Sequence, residues 1–209
     1  MEISKLNSFI IDLLKVEVNT PLPYIGRDTS FSRHRLPEIF NHAEYKYGAE
    51  IGVGKGLNSQ SWCQQMPDLR LICIDPYTPT EFYSFSQRRH DSYFEQAQKN
   101  LAGYNVTFMR QFSIDAVKEF KDGELDFVYI DAAHDFDNAM IDVIHWAPKV
   151  RAGGIVAGHD YFYWPGFNVI GAVNAYTLAH RINPWFLTHD APSRIAIHSW
   201  FWVVTVKDH

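Results

Sequence analysis

Between residues 47 and 158 the chain alternates short apolar runs with helix-like stretches, and that alternation limits the fold more than any single residue does. Runs rich in Val, Ile, Leu, Phe or Tyr predict strands at Tyr47–Gly52, Leu69–Asp75, Val106–Arg110, Leu125–Asp131 and Gly154–Gly158. Helices are predicted between them at Asn58–Gln65, Gln87–Leu101, Ile114–Phe120 and Asp135–Ala147. In the last of these Phe136, Met140, Val143, Ile144 and Ala147 share a face. Parallel neighbours in a sheet need a crossover connection, so the pattern implies an α/β, doubly wound, mostly parallel sheet covered by helices on both faces. Ligands of such sheets bind beyond the carboxyl ends of the strands, which directs attention to the residues that end each run.

The flanks break the pattern. Leu6, Phe9, Ile10 and Leu13 have helical spacing within Ile3–Val16, a Pro/Gly/Ser-rich loop runs from Thr20 to Ser32, and a further helix is predicted at Leu36–Lys46. After a helix at Val169–Ala179, the runs Trp185–Thr188 and Ser199–Val206 have no long helix between them and predict an antiparallel pair closing one edge of a seven-stranded sheet. Trp200–Val204 reads as a buried edge strand. Residues 1–46 are thus expected to be an accessory segment on a ligand-binding domain at 47–209, together one globular unit.

Charge and composition exclude several partners. With 19 Lys+Arg against 24 Asp+Glu the formal net charge is -5, so the broad positive field used to hold nucleic acid is missing. No window reaches the ~20 apolar residues of a membrane span. Cys63 and Cys73 have neither metal-ligand spacing nor the density of a disulfide scaffold and are expected as buried free thiols. Without a basic leader or cleavage site, a cytoplasmic location is the expectation.

The first strand of the alternating region ends Glu50-Ile51-Gly52-Val53-Gly54-Lys55-Gly56, and a helix follows. Glycines there allow a tight turn and let backbone approach a ligand closely. A dinucleotide fingerprint needs its third glycine one position later, where this chain has Leu57, and a carboxylate at position 50 repels a pyrophosphate. The same carboxylate suits a cationic amino-acid group. This segment resembles the first motif of class I S-adenosylmethionine-dependent methyltransferases, acidic-apolar-Gly-x-Gly-x-Gly. The resemblance implies a Rossmann-like methyltransferase fold with S-adenosylmethionine at Glu50, Gly52, Gly54 and Gly56. It also implies that Asp75, ending the next strand, bonds the ribose hydroxyls and that Ser113 lies beside the adenine. Ser113 is also placed to cap the helix it precedes.

The stretch from Asp126 through Asp131-Ala132-Ala133-His134 to Gly158-His159-Asp160-Tyr161 resembles bacterial sugar and antibiotic-tailoring O-methyltransferases, related in layout to catechol O-methyltransferase, over about residues 47–206. Asp131 and Asp160 end adjacent predicted strands, so their carboxylates should face one crevice and repel unless a proton or cation intervenes. By position the resemblance implies a divalent-metal site at Asp131, His159 and Asp160, with Asp131 also facing the cofactor. The imidazole of His159 replaces an oxygen ligand and favours an ion softer than magnesium. His134 and His159 titrate near neutrality and are the candidate bases for an acceptor hydroxyl, with His134, close behind Asp131, preferred. Packing at the start of the following helix is the alternative role for His134.

Eight other histidines, His34, His42, His90, His145, His180, His189, His198 and His209, show no ligand spacing and are expected in solvated or hydrogen-bonded roles. Tyr161-Phe162-Tyr163-Trp164 can wall an acceptor pocket or serve as plain packing, 21–31 and 76–85 are candidate lids, and aromatics near the C-terminus suggest a homodimer. The function implied is O-methylation of a small hydroxylated acceptor, of sugar or natural-product type, with or without a divalent cation. A nicotinamide-dependent oxidoreductase and a non-catalytic nucleoside-binding module are the rival readings.

Overall fold

A computed structural model describes residues 1–81, 84–189 and 198–205. His209, Val206 and part of the candidate lid at 76–85 lie outside the described residues. In chain order the strands are β1 (Tyr24–Ile25), β2 (Tyr47–Ile51), β3 (Arg70–Ile74), β4 (Val106–Met109), β5 (Leu125–Ile130), β6 (Val150–Gly158), β7 (Phe186–Leu187) and β8 (Trp200–Val203). The helices are α1 (Ile3–Leu14), α2 (Leu36–His42), α3 (Leu57–Gln65), α4 (Gln87–Asn100), α5 (Ser113–Ala116), α6 (Phe136–Trp146) and α7 (Val169–Ala179).

All eight strands form one sheet, ordered β1-β7-β8-β6-β5-β2-β3-β4, in which β8 alone runs against its neighbours. The order reverses at β2, between β3 and β5, and this is where a doubly wound sheet opens a crevice. The sheet is the doubly wound, mostly parallel one expected, with the late antiparallel pair β7 and β8, and has one strand more than predicted. The extra strand, β1, comes from the stretch read as loop. Its two residues pair with β7, and the amides of Tyr24 and of Gly26 just past the strand donate to Trp185 O and Leu187 O, so the segment's backbone finds its partners in the sheet. A second correction concerns β8, which lies between β6 and β7 rather than at the edge. Trp200 and Trp202 pack on one face and Phe201 and Val203 on the other, all buried.

Both faces are sealed. One carries α1 to α4, with Leu6, Ile10 and Leu14 of α1, Phe40 of α2 and Trp62 of α3 packed on Phe127 and Tyr129 of β5 and Phe201 of β8. The other carries α5 to α7, with Val143, Trp146, Val173 and Tyr176 against Val128, Val156, Trp200 and Trp202. Burying a large apolar side chain contributes roughly 1.5–3 kcal/mol, so three from α1 alone tie the first helix firmly to the sheet. The Tyr45 hydroxyl adds a buried hydrogen bond to Gly153 O. The predicted helix at 36–46 stops at His42, because Glu44 turns at φ 57 to send Tyr45 inward. Cys63 and Cys73 are free and buried, as expected. The C-terminal aromatics that suggested a dimer are consumed by the chain's own core.

Candidate active site

Where β2 ends, Gly52 turns at φ 86 and packs against the end of β5, and Gly54 turns at φ 54 with open space where a side chain would lie. Asp75, just past β3, fastens this turn: one carboxylate oxygen accepts from the amides of Val53 (3.1 Å) and Gly54 (2.9 Å), the other from Tyr77 (2.8 Å). Burial pushes the Asp75 carboxyl up, against these three bonds. The turn forms one wall of a cavity of about 570 Å³, within the range of small-molecule sites, whose other walls include Ile74, Tyr77, Phe112, Ser113, Asp131 and Ile141.

Two residues expected to face the ligand do not line this cavity. Glu50 points into the protein, 1% exposed, where its carboxylate accepts from Asn58 Nδ2 (2.8 Å) and from the Ser59 hydroxyl, both in α3. Burial lifts its pKa to about 7, only partly offset by those two donors. Glu50 therefore braces the helix after the turn, and its expected pairing with a cationic ligand group is corrected. Gly56 caps α3 and faces Ala97 of α4 and Leu101 just past its end, so its smallness serves helix packing.

Ser113 lines the cavity as expected but is the first residue of α5 rather than its cap, which is Phe112. Its hydroxyl donates to Asp142 of α6 and accepts from Trp146 Nε1 at 2.9 Å. Asp142, also on the lining and buried, is raised to about 6 by that burial, against the Ser113 bond. Asp142 is not evident from the sequence, since nothing in helical spacing separates a cavity-facing carboxylate from a solvated one. His90, expected in a solvated or hydrogen-bonded role, is buried in the cavity wall.

Asp131 is shared between this cavity and a compact charged cluster. Its amide donates to Ile51 O, and that of His159 to Ile130 O, so the ends of β2, β5 and β6 are stitched together. His134 Nε2 lies 2.8 Å from one oxygen of Asp160 and 3.9 Å from Asp131. His159 Nδ1 lies 3.2 Å from the other oxygen of Asp160 and 3.8 Å from Asp131. Asp160 achieves this at φ 56, a left-handed backbone unusual outside glycine and typical of functional positions. Burial opposes charge on His134, but the bonds to Asp131 and Asp160 outweigh it and raise the imidazole to about 9; His159 rises for the same reasons. Asp160, despite burial, is held well below the usual carboxylate range by the two imidazoles. The cap of α6 is Asp135, which accepts from the Asn138 amide, so His134 is not used as a cap. Its ring lies against Phe167, 4.6 Å between centroids, and Phe167 in turn touches Phe162. Of the aromatic run, Phe162 thus approaches the cluster, Tyr161 bonds Asn174, and Tyr163 is 84% exposed.

The cluster contains one residue the sequence did not flag. Arg33, in a helical turn at Arg33–Arg35 ahead of α2, reaches Asp131 with Nη1 3.1 Å from Oδ2. Its placement is not accidental to the fold: the buried Trp62 indole donates to Arg33 O, and Gln65 to His34 O. As for a metal, the trio whose donor atoms lie within 4.8 Å of one another is Asp131, His134 and Asp160, so His134 replaces the expected His159. Those atoms are already engaged, Asp131 by a guanidinium and Asp160 by two imidazoles. A divalent ion held by this trio would share Asp131 with the Arg33 guanidinium.

The remaining described histidines make local contacts: His42 stacks on Phe9 and His180 on Tyr176, His145 bonds Ile141 O, and His189 packs on His198. No helix among the described residues is long and apolar enough to cross a membrane.

A family model described as a methyltransferase domain matches residues 49–161. No curated protein matches the sequence. Among solved structures, the chain is similar to the O-methyltransferase TomG of Streptomyces achromogenes, involved in tomaymycin synthesis and solved with SAM, at 18% identity and TM-score 0.60, covering 98% of this chain and 99% of that one. An O-methyltransferase from Bacillus cereus in complex with SAH follows at 15% identity and TM-score 0.59, covering 98% and 92%. Spermidine synthase from Thermotoga maritima, at 15% identity and TM-score 0.54, covers 86% and 62%. At such identities these likenesses speak for the fold.

Proposed function

Since this chain belongs to the methyltransferase-domain family, we propose that it transfers the methyl group of S-adenosylmethionine to a hydroxyl oxygen of a small metabolite. The observation that carries this reading is the cavity of about 570 Å³ built on the Gly52–Gly54 turn and Asp75, which meets the His134–Asp160 pair through the shared residue Asp131. S-Adenosylmethionine supplies an electrophilic methyl carbon on a cationic sulfur. In-line attack breaks that carbon–sulfur bond as the oxygen–carbon bond forms, leaving S-adenosylhomocysteine and releasing the hydroxyl proton.

The chain's residues divide this work. Asp75 holds the glycine turn and stands where ribose hydroxyls would be met. Ser113, with Phe112 and Ile141, offers a partly polar slot for the base. With Glu50 buried, Asp131, one of the carboxylates on the lining, is the candidate for the cationic tail. His134 takes the acceptor proton, steadied by Asp160, and Phe162 and Phe167 provide an apolar wall beside it. The acceptor class, a sugar or natural-product hydroxyl, rests on the resemblance and on the likeness to TomG, an O-methyltransferase of tomaymycin synthesis. No step is assigned to a metal.

Calorimetry tests the cofactor: S-adenosylhomocysteine binds and a nicotinamide dinucleotide does not. Binding of the dinucleotide alone would sink the reading. Methyl release with a panel of phenolic and sugar acceptors, run with and without chelator, then separates an enzyme from a binding module.

A further inference from the structure

We propose that Arg33 is a built-in cation that takes the place of a divalent metal at Asp131, so that the N-terminal segment, rather than an ion from solution, completes the charged cluster. Three observations carry this. First, the two carboxylates of Asp131 and Asp160 converge closely enough for their donor atoms, with His134, to share an ion, and like charges so placed need compensation. Second, the guanidinium of Arg33 stands 3.1 Å from Asp131 Oδ2, with both side chains partly shielded, and a divalent ion drawn to the same carboxylate would meet a fixed positive charge beside it. Third, Arg33 is not a loose surface arginine. Its carbonyl is held by the buried Trp62 indole, the next carbonyl by Gln65, and the segment is anchored on either side by the buried Phe31 and Leu36. Arginine stays charged and offers rigidly placed donors, so it can orient a carboxylate and hydrogen-bond an oxygen that gains negative charge.

The proposal adds to the methyltransferase reading and depends on it only for its catalytic consequence: Arg33 holds Asp131 in place while the acceptor proton leaves for His134. Arg33 is therefore a positioning residue with a readout independent of turnover.

That readout is manganese binding, followed by the paramagnetic resonance signal of free Mn²⁺ on titration with the intact chain. The parent should leave the ion free, Arg33→Ala and Arg33→Met should gain a site at least about ten-fold tighter, and adding Asp131→Asn should abolish the gain. Thermal unfolding of each variant checks that the gain belongs to folded protein, and using two replacements guards against one failing to fold. Manganese binding by the parent that Asp131→Asn weakens would overturn the proposal, and so would Arg33 variants that fold but gain no site. Calorimetry with S-adenosylhomocysteine on the parent is run in parallel. Its failure would count against the methyltransferase reading and leave the manganese comparison to decide on Arg33.

Discussion

A methyl group placed on the α-carbon of Gly52 would lie 2.0 Å from the carbonyl oxygen of Asp131, closer than any two such atoms can stand. The cofactor-side turn and the charged cluster are thus held in direct backbone contact, and the absence of a side chain at residue 52 sets their separation.

Gly52→Ala should therefore disturb both regions at once. A left-handed residue with a Cβ already costs about 1–3 kcal/mol, and the collision with Asp131 adds to it. The expected result is a stability loss of several kcal/mol in denaturant unfolding, together with loss of S-adenosylhomocysteine binding. Gly54→Ala, where nothing lies within 4 Å, should cost only about 1 kcal/mol of stability. Equal losses for the two would contradict the close approach.

Glu50 predicts an inverted pH response. Its folded pKa, about 7, exceeds the ordinary 4.5, so its contribution to stability is complete below pH 4.5 and disappears as pH rises through 7. Glu50→Gln keeps the shape without the buried charge and should be at least as stable as the parent above pH 7, by up to about 3 kcal/mol. Its affinity for S-adenosylhomocysteine should stay within a few-fold of the parent's. A ten-fold or greater loss of affinity at unchanged stability would restore Glu50 as a direct ligand contact.

His134 should dominate the pH profile of turnover. With its pKa raised to about 9, the imidazole carries a proton at neutral pH, and activity should climb as pH approaches 9. The same pair stabilises the fold with the opposite trend: the contribution of charged His134 beside Asp160 is complete below about 6.5 and is lost as pH rises through about 9. His134→Gln should lower kcat by about 10²–10⁴-fold and flatten the climb. Its deficit in thermal stability should narrow from pH 6.5 to 9. An unchanged pH profile would remove His134 from the proton transfer.

Ser113 joins two helices through one hydroxyl. Ser113→Ala leaves Trp146 Nε1 without its acceptor and Asp142 without its donor, for a stability loss of about 1–3 kcal/mol. Ser113→Thr, which keeps the hydroxyl, should recover most of it in the same unfolding assay.

The ends of β2, β3, β5 and β6 were legible in the sequence because each apolar run stops at a polar or glycine-bearing turn, which brings Asp75, Asp131 and Asp160 into view, while their roles and that of His134 came from the resemblance. Direction was not legible. Glu50 lies in a strand whose pleat sends its side chain inward, and one position's difference in pleat separates a ligand contact from a buried brace. Arg33 was hidden for a different reason: it reaches Asp131 across 98 residues of chain, by way of a turn anchored on Trp62, and no local pattern encodes that meeting. The strand at Tyr24–Ile25 has only two residues, too few to show alternation, and β8 looked like an edge because its neighbour β7 is equally brief.

The position of β8 bears on how the protein comes into being. Because it lies between β6 and β7, and β1 pairs with β7, a polypeptide still emerging from the ribosome has nothing to complete that half of the sheet until Trp200–Val203 have been made. The strand at Tyr24–Ile25 must wait for Phe186–Leu187 and the β8 that holds them, a pairing of high sequence separation and slow closure. Synthesis of Trp200–Val203, rather than of any earlier portion, should therefore mark the moment at which this half of the sheet can assemble.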